Sequence, residues 1–398
     1  MKTSLGIALA LLPLLLTTAA IGQVPAGKPP LLIDRASDVI TRIHTGKRFE
    51  LPPEAYAAVQ KFHALTVPYW HFFFPYQGTV YGPEIAVGKS IFSNGGTAVV
   101  EAAIIPVKFR FPAYIDPSTG QPVELDGTAD VSNVVSSPNF SPAQFSTGYT
   151  QYQDAAQRAS FYGYYADTWH TMLTPRVLGT VTIDVPADKG VVRRLSSTGT
   201  LIALLDEGWF FQQQLRLNAD KNIAVEQLPV LLAHNIAIYF NGDPTDCCDL
   251  SWHGAYLSQI LNNTYFIQTF IWESWWTPDV LGPEFADVFG LTHEIAEWTN
   301  DPFGGNFVPH WDFPQGPDFS YPAGYCEANV YFTSILEVAD PVENYAFSYH
   351  IDLNGFTYHV SNQAVASWFS RDVPSSAIHG AYSFPDETVL TGPSSPCP

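Results

Sequence analysis

From Thr97 onward, apolar strand-like runs alternate with helical patterns, and this alternation constrains the fold more than any other feature of the chain. Val107, Phe109 and Phe111 alternate with cationic residues, which is the period of a strand with one buried face. Helical patterns follow at residues 151–162 and 206–217, and strand-like runs at residues 176–185, 228–240 and 265–272. The order predicts an α+β fold in which helices pack on a mixed, twisted sheet, with a loop-rich C-terminal part rich in Pro and Gly.

The first 95 residues follow a different pattern. Residues 1–22 combine a short cationic start, an apolar run and small residues at a cleavage site, which predicts a signal peptide and a secreted or periplasmic protein. An uncleaved membrane anchor is the alternative, but the run is short and contains Pro13, so we expect no stable membrane insertion after cleavage. Residues 23–95 are predicted to be an N-terminal helical segment, either a pro-segment or a packed subdomain. Within it, residues 31–65 have a helical pattern and Pro53 suits a first helical position.

The net charge limits the partners. The 398 residues include 18 Lys and Arg against 38 Asp and Glu, a formal charge of −20 at pH 7. Binding to nucleic acid or to anionic lipid depends on clustered cations, so neither partner is expected. The aromatic content of 14% also excludes a largely disordered chain.

The chain has four cysteines, Cys247, Cys248, Cys326 and Cys397. In an exported protein this number predicts one or two local disulfides, and the sequence alone leaves all three full pairings open. Since no C-x-x-C spacing is present, a thiolate zinc site is not predicted.

The sharpest local motif is HEIAE at residues 293–297, within a helix predicted to span residues 283–299. His293 and Glu297 are spaced i, i+4, so both side chains leave the same helix face and can bind one cation. Glu294 is rotated by about 100° from His293. It therefore misses the metal and can act as general base toward a water molecule, as in H-E-x-x-H metallopeptidases. The alternative interpretation is a structural cluster of polar side chains.

A catalytic zinc ion needs a third protein ligand. The spacing does not choose among the downstream candidates, which are His310, Asp312, Asp318, Glu327, Glu337, Asp340, His350 and His359.

Three motifs together resemble a family of secreted proteins. HEIAEWTNDP at residues 293–302, LEVADP at residues 336–341 and CCDLSWH at residues 247–253 are similar to motifs of zincin-like HExxE proteins. These include uncharacterised bacterial proteins and the plant phosphate-induced, Exordium-like family, and the similarity covers roughly residues 240–370. It departs from their pattern at Ala339, where the family usually has Gly, and in the position of Cys326, which precedes the acidic pair.

The resemblance implies a zincin-like catalytic domain over residues 96–398 and a Zn²⁺ cofactor. It implies Glu337 or Asp340 as the third metal ligand, with the other acid orienting a ligand. His253 is then either a proton donor or oxyanion contact, or a hydrogen-bonded structural histidine.

Two functions follow as hypotheses. The first is an exported zinc-dependent metallopeptidase-like hydrolase acting on peptides or proteins, with Glu294 as general base. The second is a noncatalytic exported binding protein, associated with the cell surface or with glycans, that has a structural metal site. The tryptophans of residues 272–276 could form a sugar-binding platform, but ordinary core packing is the favoured interpretation.

Overall fold

The computed structural model describes residues 27–40, 51–314, 324–331, 334–343 and 348–397. The predicted signal peptide lies outside these residues. The fold is α+β with mixed sheets, and about 22% of the chain is helix and 40% strand.

The described strands have the following bounds. They are β1 (Leu31–Ile33), β2 (Ala64–Leu65), β3 (Tyr69–Tyr76), β4 (Thr79–Val87), β5 (Gly96–Ile115), β6 (Pro122–Asp126), β7 (Ala143–Phe145), β8 (Gly148–Thr150), β9 (Trp169–Val177), β10 (Val181–Asp184), β11 (Gly190–Leu195), β12 (Leu201–Asp206), β13 (Leu228–His234), β14 (Ile236–Tyr239), β15 (Cys247–Asp249), β16 (Ser251–Leu261), β17 (Thr264–Trp275), β18 (Tyr349–Leu353), β19 (Phe356–Val360), β20 (Gln363–Ala364) and β21 (Ser383–Phe384).

The described α-helices are fewer than the strands. They are α1 (Pro53–Gln60), α2 (Val131–Ser136), α3 (Tyr152–Ser160), α4 (Glu207–Asp220), α5 (Pro278–Leu281), α6 (Phe289–Asn300), α7 (Ala328–Tyr331) and α8 (Ala366–Ser370).

The larger sheet has the strand order β10-β5-β13-β17-β16. Its internal pairings are parallel, and the edge strand β16 runs antiparallel to β17. Strands β2, β6 and β9 add to it outside this path. Because β13 is central, its side chains are buried on both faces: Val230 and Leu232 contribute to one core, and Leu231 and Ala233 to the other.

Different helices pack on the two cores. Helices α3 and α6 supply Ala155, Leu291 and Ile295 to the first core, whereas α4 supplies Phe210 and Leu217 to the second. The larger sheet therefore separates α6, which carries the HEIAE motif, from α4.

A smaller sheet has the order β1-β11-β12-β14-β15. The apolar run at residues 228–240, predicted to be one strand, is divided between the two sheets at Asn235. Asn235 has a positive φ of 50°, and its side-chain oxygen accepts a hydrogen bond from the Thr277 backbone N–H at 3.0 Å. A turn residue that tolerates the left-handed region thus redirects the chain from β13 in one sheet to β14 in the other.

The predicted helical character of the N-terminal segment is wrong for most of its described part. Only α1 is an α-helix there, and it does have Pro53 in its first turn as predicted. The antiparallel pair β3 and β4 follows it, and β4 contacts α6. The aromatic and β-branched side chains at positions 69–87 pack in the first core against the larger sheet and do not form a separate helical unit.

Several predicted elements agree with the structure. Residues 96–115 form β5, in which Val107, Phe109 and Phe111 are buried as the alternation predicts. The helical patterns correspond to α3 and α4. The predicted strand at residues 176–185 is two strands, β9 and β10, and the run at residues 265–272 lies within β17.

The N-terminus of α4 permits a stability test. Asp206 is its N-cap, and its Oδ1 accepts the Trp209 backbone N–H at 2.9 Å. Asp206→Ala is expected to lower the free energy of unfolding by about 1 kcal/mol because that N–H loses its acceptor. Urea unfolding would measure this loss. Asp206→Asn retains a capping oxygen and should lose less; equal losses in the two variants would contradict the capping role.

The cysteines pair as Cys247 with Cys248 and Cys326 with Cys397. The Cα atoms of Cys326 and Cys397 lie 5.5 Å apart, and the bond closes a span of 71 residues. Of the three pairings open from the sequence, the structure contains the one in which the adjacent cysteines bond to each other.

Within the described part of the chain, no helix has both the length and the apolar character needed to cross a bilayer.

Candidate metal centre

The helix that carries HEIAE begins later than predicted. It spans Phe289–Asn300, and a separate 3-10 turn at Pro283–Phe285 precedes it. Asp287 has a φ of 48°, and its Oδ1 accepts the Val288 backbone N–H at 2.6 Å. This left-handed residue interrupts the helical pattern of residues 283–299, so the predicted start at Pro283 is wrong. The predicted stop is confirmed, because α6 ends at Asn300.

The faces of α6 differ in chemistry. Leu291, Ile295 and Trp298 pack into the first core, and the Trp298 indole N–H donates to Thr269 Oγ1 at 3.0 Å. Nevertheless, His293 and Glu297 are also buried, with 6% and 3% of their surface exposed. A buried ionisable pair needs a compensating charge, a proton or a metal ion.

One group of donor atoms consists of His293, Glu297 and Asp340. His293 Nε2 lies 3.3 Å from Glu297 Oε1 and 3.4 Å from Asp340 Oδ1. Ligands bound at 2.0–2.2 Å in a tetrahedron are about 3.3 Å apart, so these separations fit a zinc ion between the three atoms. The imidazole and two carboxylates are also a donor set that zinc accepts.

Asp340, and not Glu337, completes this group. Asp340 is the first residue of a 3-10 turn, Asp340–Val342, and it is 1% exposed. The preceding Ala339 backbone N–H donates to Glu297 Oε1 at 3.4 Å, so this loop is held against the helix. Glu337 is fully buried but is not a member of the group. Of the two residues that the resemblance left as alternatives, the geometry therefore favours Asp340.

A second group of donor atoms consists of His253, Glu294 and Glu297. His253 Nδ1 lies 3.1 Å from Glu294 Oε2 and 3.5 Å from Glu297 Oε2. Glu297 is therefore common to both groups, with Oε1 toward His293 and Oε2 toward His253.

The hairpin β16–β17 supplies the polar residues that face α6. Ser251 and His253 alternate on β16, so they share one face, and Glu273 is the cross-strand partner of Ser251. Trp252, on the opposite face, packs in the second core. A Cβ added at Gly290 of α6 would approach Glu273 Oε2 to 2.6 Å, so the glycine allows the helix to lie close to this strand.

Two hydrogen bonds orient Glu294. Ser251 Oγ donates to Glu294 Oε1 at 2.7 Å, which leaves Oε2 beside His253. His253 Nε2 lies 3.2 Å from the Asp301 carbonyl oxygen. A carbonyl only accepts, so Nε2 carries a hydrogen there, and a neutral ring then presents the lone pair of Nδ1 to Glu294.

No protein-family model, curated protein or solved structure matches this chain. The similarity to zincin-like HExxE proteins remains a prediction.

Burial and mutual repulsion dominate the electrostatics of the centre. Burial raises the pKa of Glu297, and burial together with the charge of Glu294 raises the pKa values of Asp249 and Glu273 well above their ordinary range. Burial, opposed by His293, raises the pKa of Glu343 to about 8. For His293 itself, burial alone would lower the pKa, but Glu297 and Asp340 raise it well above its ordinary value.

The other candidate ligands lie outside the centre. His310 is grouped with Cys326 and Glu327, His350 pairs with Glu284 at 3.2 Å, and His359 pairs with Asp287 at 2.6 Å. Asp312 forms an isolated antiparallel β-bridge, through its backbone, with Cys326, and Asp318 lies outside the described residues.

Sequence reasoning missed four acidic or hydroxyl residues of the centre. They are Asp249, Ser251, Glu273 and Glu343. Ser251 and Glu273 are paired across β16 and β17, Asp249 ends β15 just before β16, and Glu343 follows the 3-10 turn that begins at Asp340. The signal for Ser251 was present, because an i, i+2 spacing to His253 in a strand places both side chains on one face. Trp272, Trp275 and Trp276 are buried, which confirms core packing over a sugar-binding platform.

The loop after α6 is held by Asp301. Its carboxylate accepts the backbone N–H groups of Gly305 and Asn306, both at 3.0 Å. Nearby, burial and the charge of Asp301 raise the pKa of Glu84 to about 9.

Glu84→Gln is expected to change the pH dependence of stability. Unfolded glutamate titrates near 4.5, so the folded state binds an extra proton at Glu84 between pH 4.5 and about 9. The contribution of this proton to the free energy of unfolding is fully present below pH 4.5. It is lost as the pH rises toward 9, by at most about 1.4 kcal/mol per pH unit. Urea unfolding at pH 6 and pH 9 should show that the free energy of unfolding falls less between these pH values in Glu84→Gln than in the wild type. The exposed control Glu226→Gln should behave as the wild type; an unchanged slope in Glu84→Gln would contradict a protonated Glu84.

Proposed function

We propose that this protein is an exported zinc-dependent metallopeptidase-like hydrolase with a zincin-like fold. The observation that carries the proposal is the donor set of His293, Glu297 and Asp340, whose separations of 3.3 and 3.4 Å suit tetrahedral zinc. The arrangement of α6 against a mixed sheet with an antiparallel edge strand supports it.

These three residues would hold the ion. When bound, zinc would supply a Lewis acid that polarises a carbonyl and lowers the pKa of water. Glu294 is adjacent to His293 in the chain but faces Ser251 and His253, so its carboxylate is placed beside the donor set and outside it.

Glu294 would act as general base. Its Oε1 is engaged by Ser251, and proton uptake would therefore occur at Oε2, from which the proton can pass to a leaving amine. His253, held by the Asp301 carbonyl, would position Oε2 and could share that proton through Nδ1. A peptide or protein is the proposed substrate class, because amide hydrolysis uses both a base for water and an acid for the amine.

The experiment combines metal analysis with an assay of hydrolysis. The purified protein is expected to contain zinc and to hydrolyse unstructured protein substrates. The activity should be lost on chelation and restored by stoichiometric zinc. Retention of full activity after complete removal of metal would overturn the proposal.

A specific observation also favours the second candidate, a noncatalytic exported protein with a structural metal. His293, Glu294, Glu297 and Asp340 are each less than 10% exposed, and structural zinc sites are closed whereas catalytic sites keep an open position. This candidate predicts bound zinc, a fall in thermal stability on chelation, and no turnover of peptides, proteins or glycans. The same two measurements therefore separate the candidates.

A further inference from the structure

We propose that the protein has a second divalent-cation site, formed by His253 Nδ1, Glu294 Oε2 and Glu297 Oε2, that shares Glu297 with the first site. The inference rests on the proposed function for its consequence, which is regulation of Glu294, whereas the site itself is inferred from the positions and the burial of its side chains.

The orientation of His253 is the first argument. Nε2 lies within hydrogen-bond distance of the Asp301 carbonyl and must donate there, so an uncharged ring would present a lone pair at Nδ1 to a carboxylate oxygen 3.1 Å away. Two acceptors at this distance repel each other unless a cation lies between them, either a proton or a metal ion. A histidine whose other nitrogen donates to a backbone carbonyl is also the usual arrangement of a metal ligand.

The two oxygens of Glu297 are the second argument. Oε1 lies 3.3 Å from His293 Nε2, and Oε2 lies 3.5 Å from His253 Nδ1. A carboxylate used in this way bridges two ions, and bridged pairs of metal ions in hydrolases are about 3.5–4 Å apart. Each ion would then have one imidazole and two carboxylates as donors.

A buried carboxyl group without a hydrogen-bond partner is the third observation. Asp249 is fully buried just before Ser251 and His253, and among the described residues neither of its carboxylate oxygens has a hydrogen-bond partner. No lysine or arginine in the described chain forms an ion pair with Glu294, Glu297 or Asp249. A second divalent cation would supply the positive charge that this side of the cluster lacks.

Occupation of the second site would engage Glu294 Oε2, the oxygen proposed to take up the proton. Zinc above one equivalent is therefore expected to inhibit hydrolysis, while the first equivalent activates it. The second ion would thus inhibit the proposed general base.

The test is zinc stoichiometry, which needs no activity. The metal-free protein is titrated with zinc alone, and bound ions are counted by native mass spectrometry and calorimetry. The wild type is expected to bind two ions. His253→Gln retains a donor for the Asp301 carbonyl but removes the Nδ1 lone pair, and it should weaken the second ion at least tenfold while one ion still binds. Glu294→Gln should do the same, and it keeps the test valid if His253→Gln fails to fold.

The matched control is His234→Gln. His234 Nδ1 lies 2.8 Å from Asp130 Oδ2, in a histidine–carboxylate pair that belongs to no candidate metal group, so the variant should bind two ions. A single ion in the wild type would overturn the proposal and place a proton between His253 and Glu294. Two ions that are unaffected by both site variants would also overturn it.

The outcomes separate the two proposals. One bound ion with chelator-sensitive hydrolysis defeats only the second site. Two bound ions without hydrolysis of any substrate defeat only the hydrolase.

Discussion

Glu297→Ala is expected to abolish stoichiometric zinc binding at both positions. Each proposed site has one histidine and two carboxylates, and Glu297 is the one residue that both contain, so its loss would leave two donors at each. Loss of a residue that only hydrogen-bonds to a metal ligand reduces metal affinity by about 10- to 100-fold. We therefore expect loss of a shared ligand to weaken the binding of both ions by more than about 100-fold. Zinc per chain after equilibration in a zinc buffer would measure this effect.

Asp340→Asn provides the contrast. Asp340 contributes to the first group only, so the variant should weaken one ion and retain the other. Glu226→Ala, at an exposed position, controls for the loss of a glutamate. Retention of one tightly bound ion in Glu297→Ala would show that the two sites do not share this residue.

Glu294→Gln is expected to lower the rate of hydrolysis by about 10²- to 10⁴-fold, the usual contribution of a general base. The amide retains the shape of the side chain and an oxygen that can accept the Ser251 hydroxyl, but it takes up no proton at the catalytic pH. The first zinc ion should remain, because Glu294 is not in the group of His293, Glu297 and Asp340. The rate constant at saturating substrate and the zinc content of the same sample are the two measurements.

Ser251→Ala tests whether orientation of Glu294 matters. It removes the hydroxyl that engages Oε1 but leaves the carboxylate, so the rate should fall less than in Glu294→Gln. A fully active Glu294→Gln variant would eliminate this residue as the base, whatever its metal content.

The sequence predicted best what depends on neighbouring residues. The i, i+4 spacing of His293 and Glu297 and the stop at Asn300 are local properties of one helix, and both are present in α6. The start of that helix was mispredicted because Asp287, a tolerant turn residue, adopts a left-handed conformation within an otherwise helical pattern. Likewise, Asn235 divided an apolar run that looks like a single strand.

The rest of the centre depends on pairing across the fold. Glu273 reaches Ser251 through the register of β16 and β17, and no local pattern gives that register. The choice between Glu337 and Asp340 depends on how a loop some forty residues beyond the helix returns to it, and both residues are buried. Burial alone therefore does not distinguish the two acids, whereas the 3.4 Å separation from His293 identifies Asp340 as the candidate ligand.

The β-bulge in β16 determines where this strand could gain residues without disturbing the centre. The register shift between β16 and β17 falls at Leu257 and Gln259, beyond His253, while pairing from Ser251 to Leu257 is regular. One residue inserted between Ser251 and Trp252 would exchange the two faces of the strand beyond it, turning the histidine toward the second core and Trp252 toward α6. An insertion past the bulge would leave the polar face in place, because the bulge already absorbs one unpaired residue. Relatives of this chain should therefore vary in length at the far end of the β16–β17 hairpin and keep the spacing from Asp249 to His253 fixed.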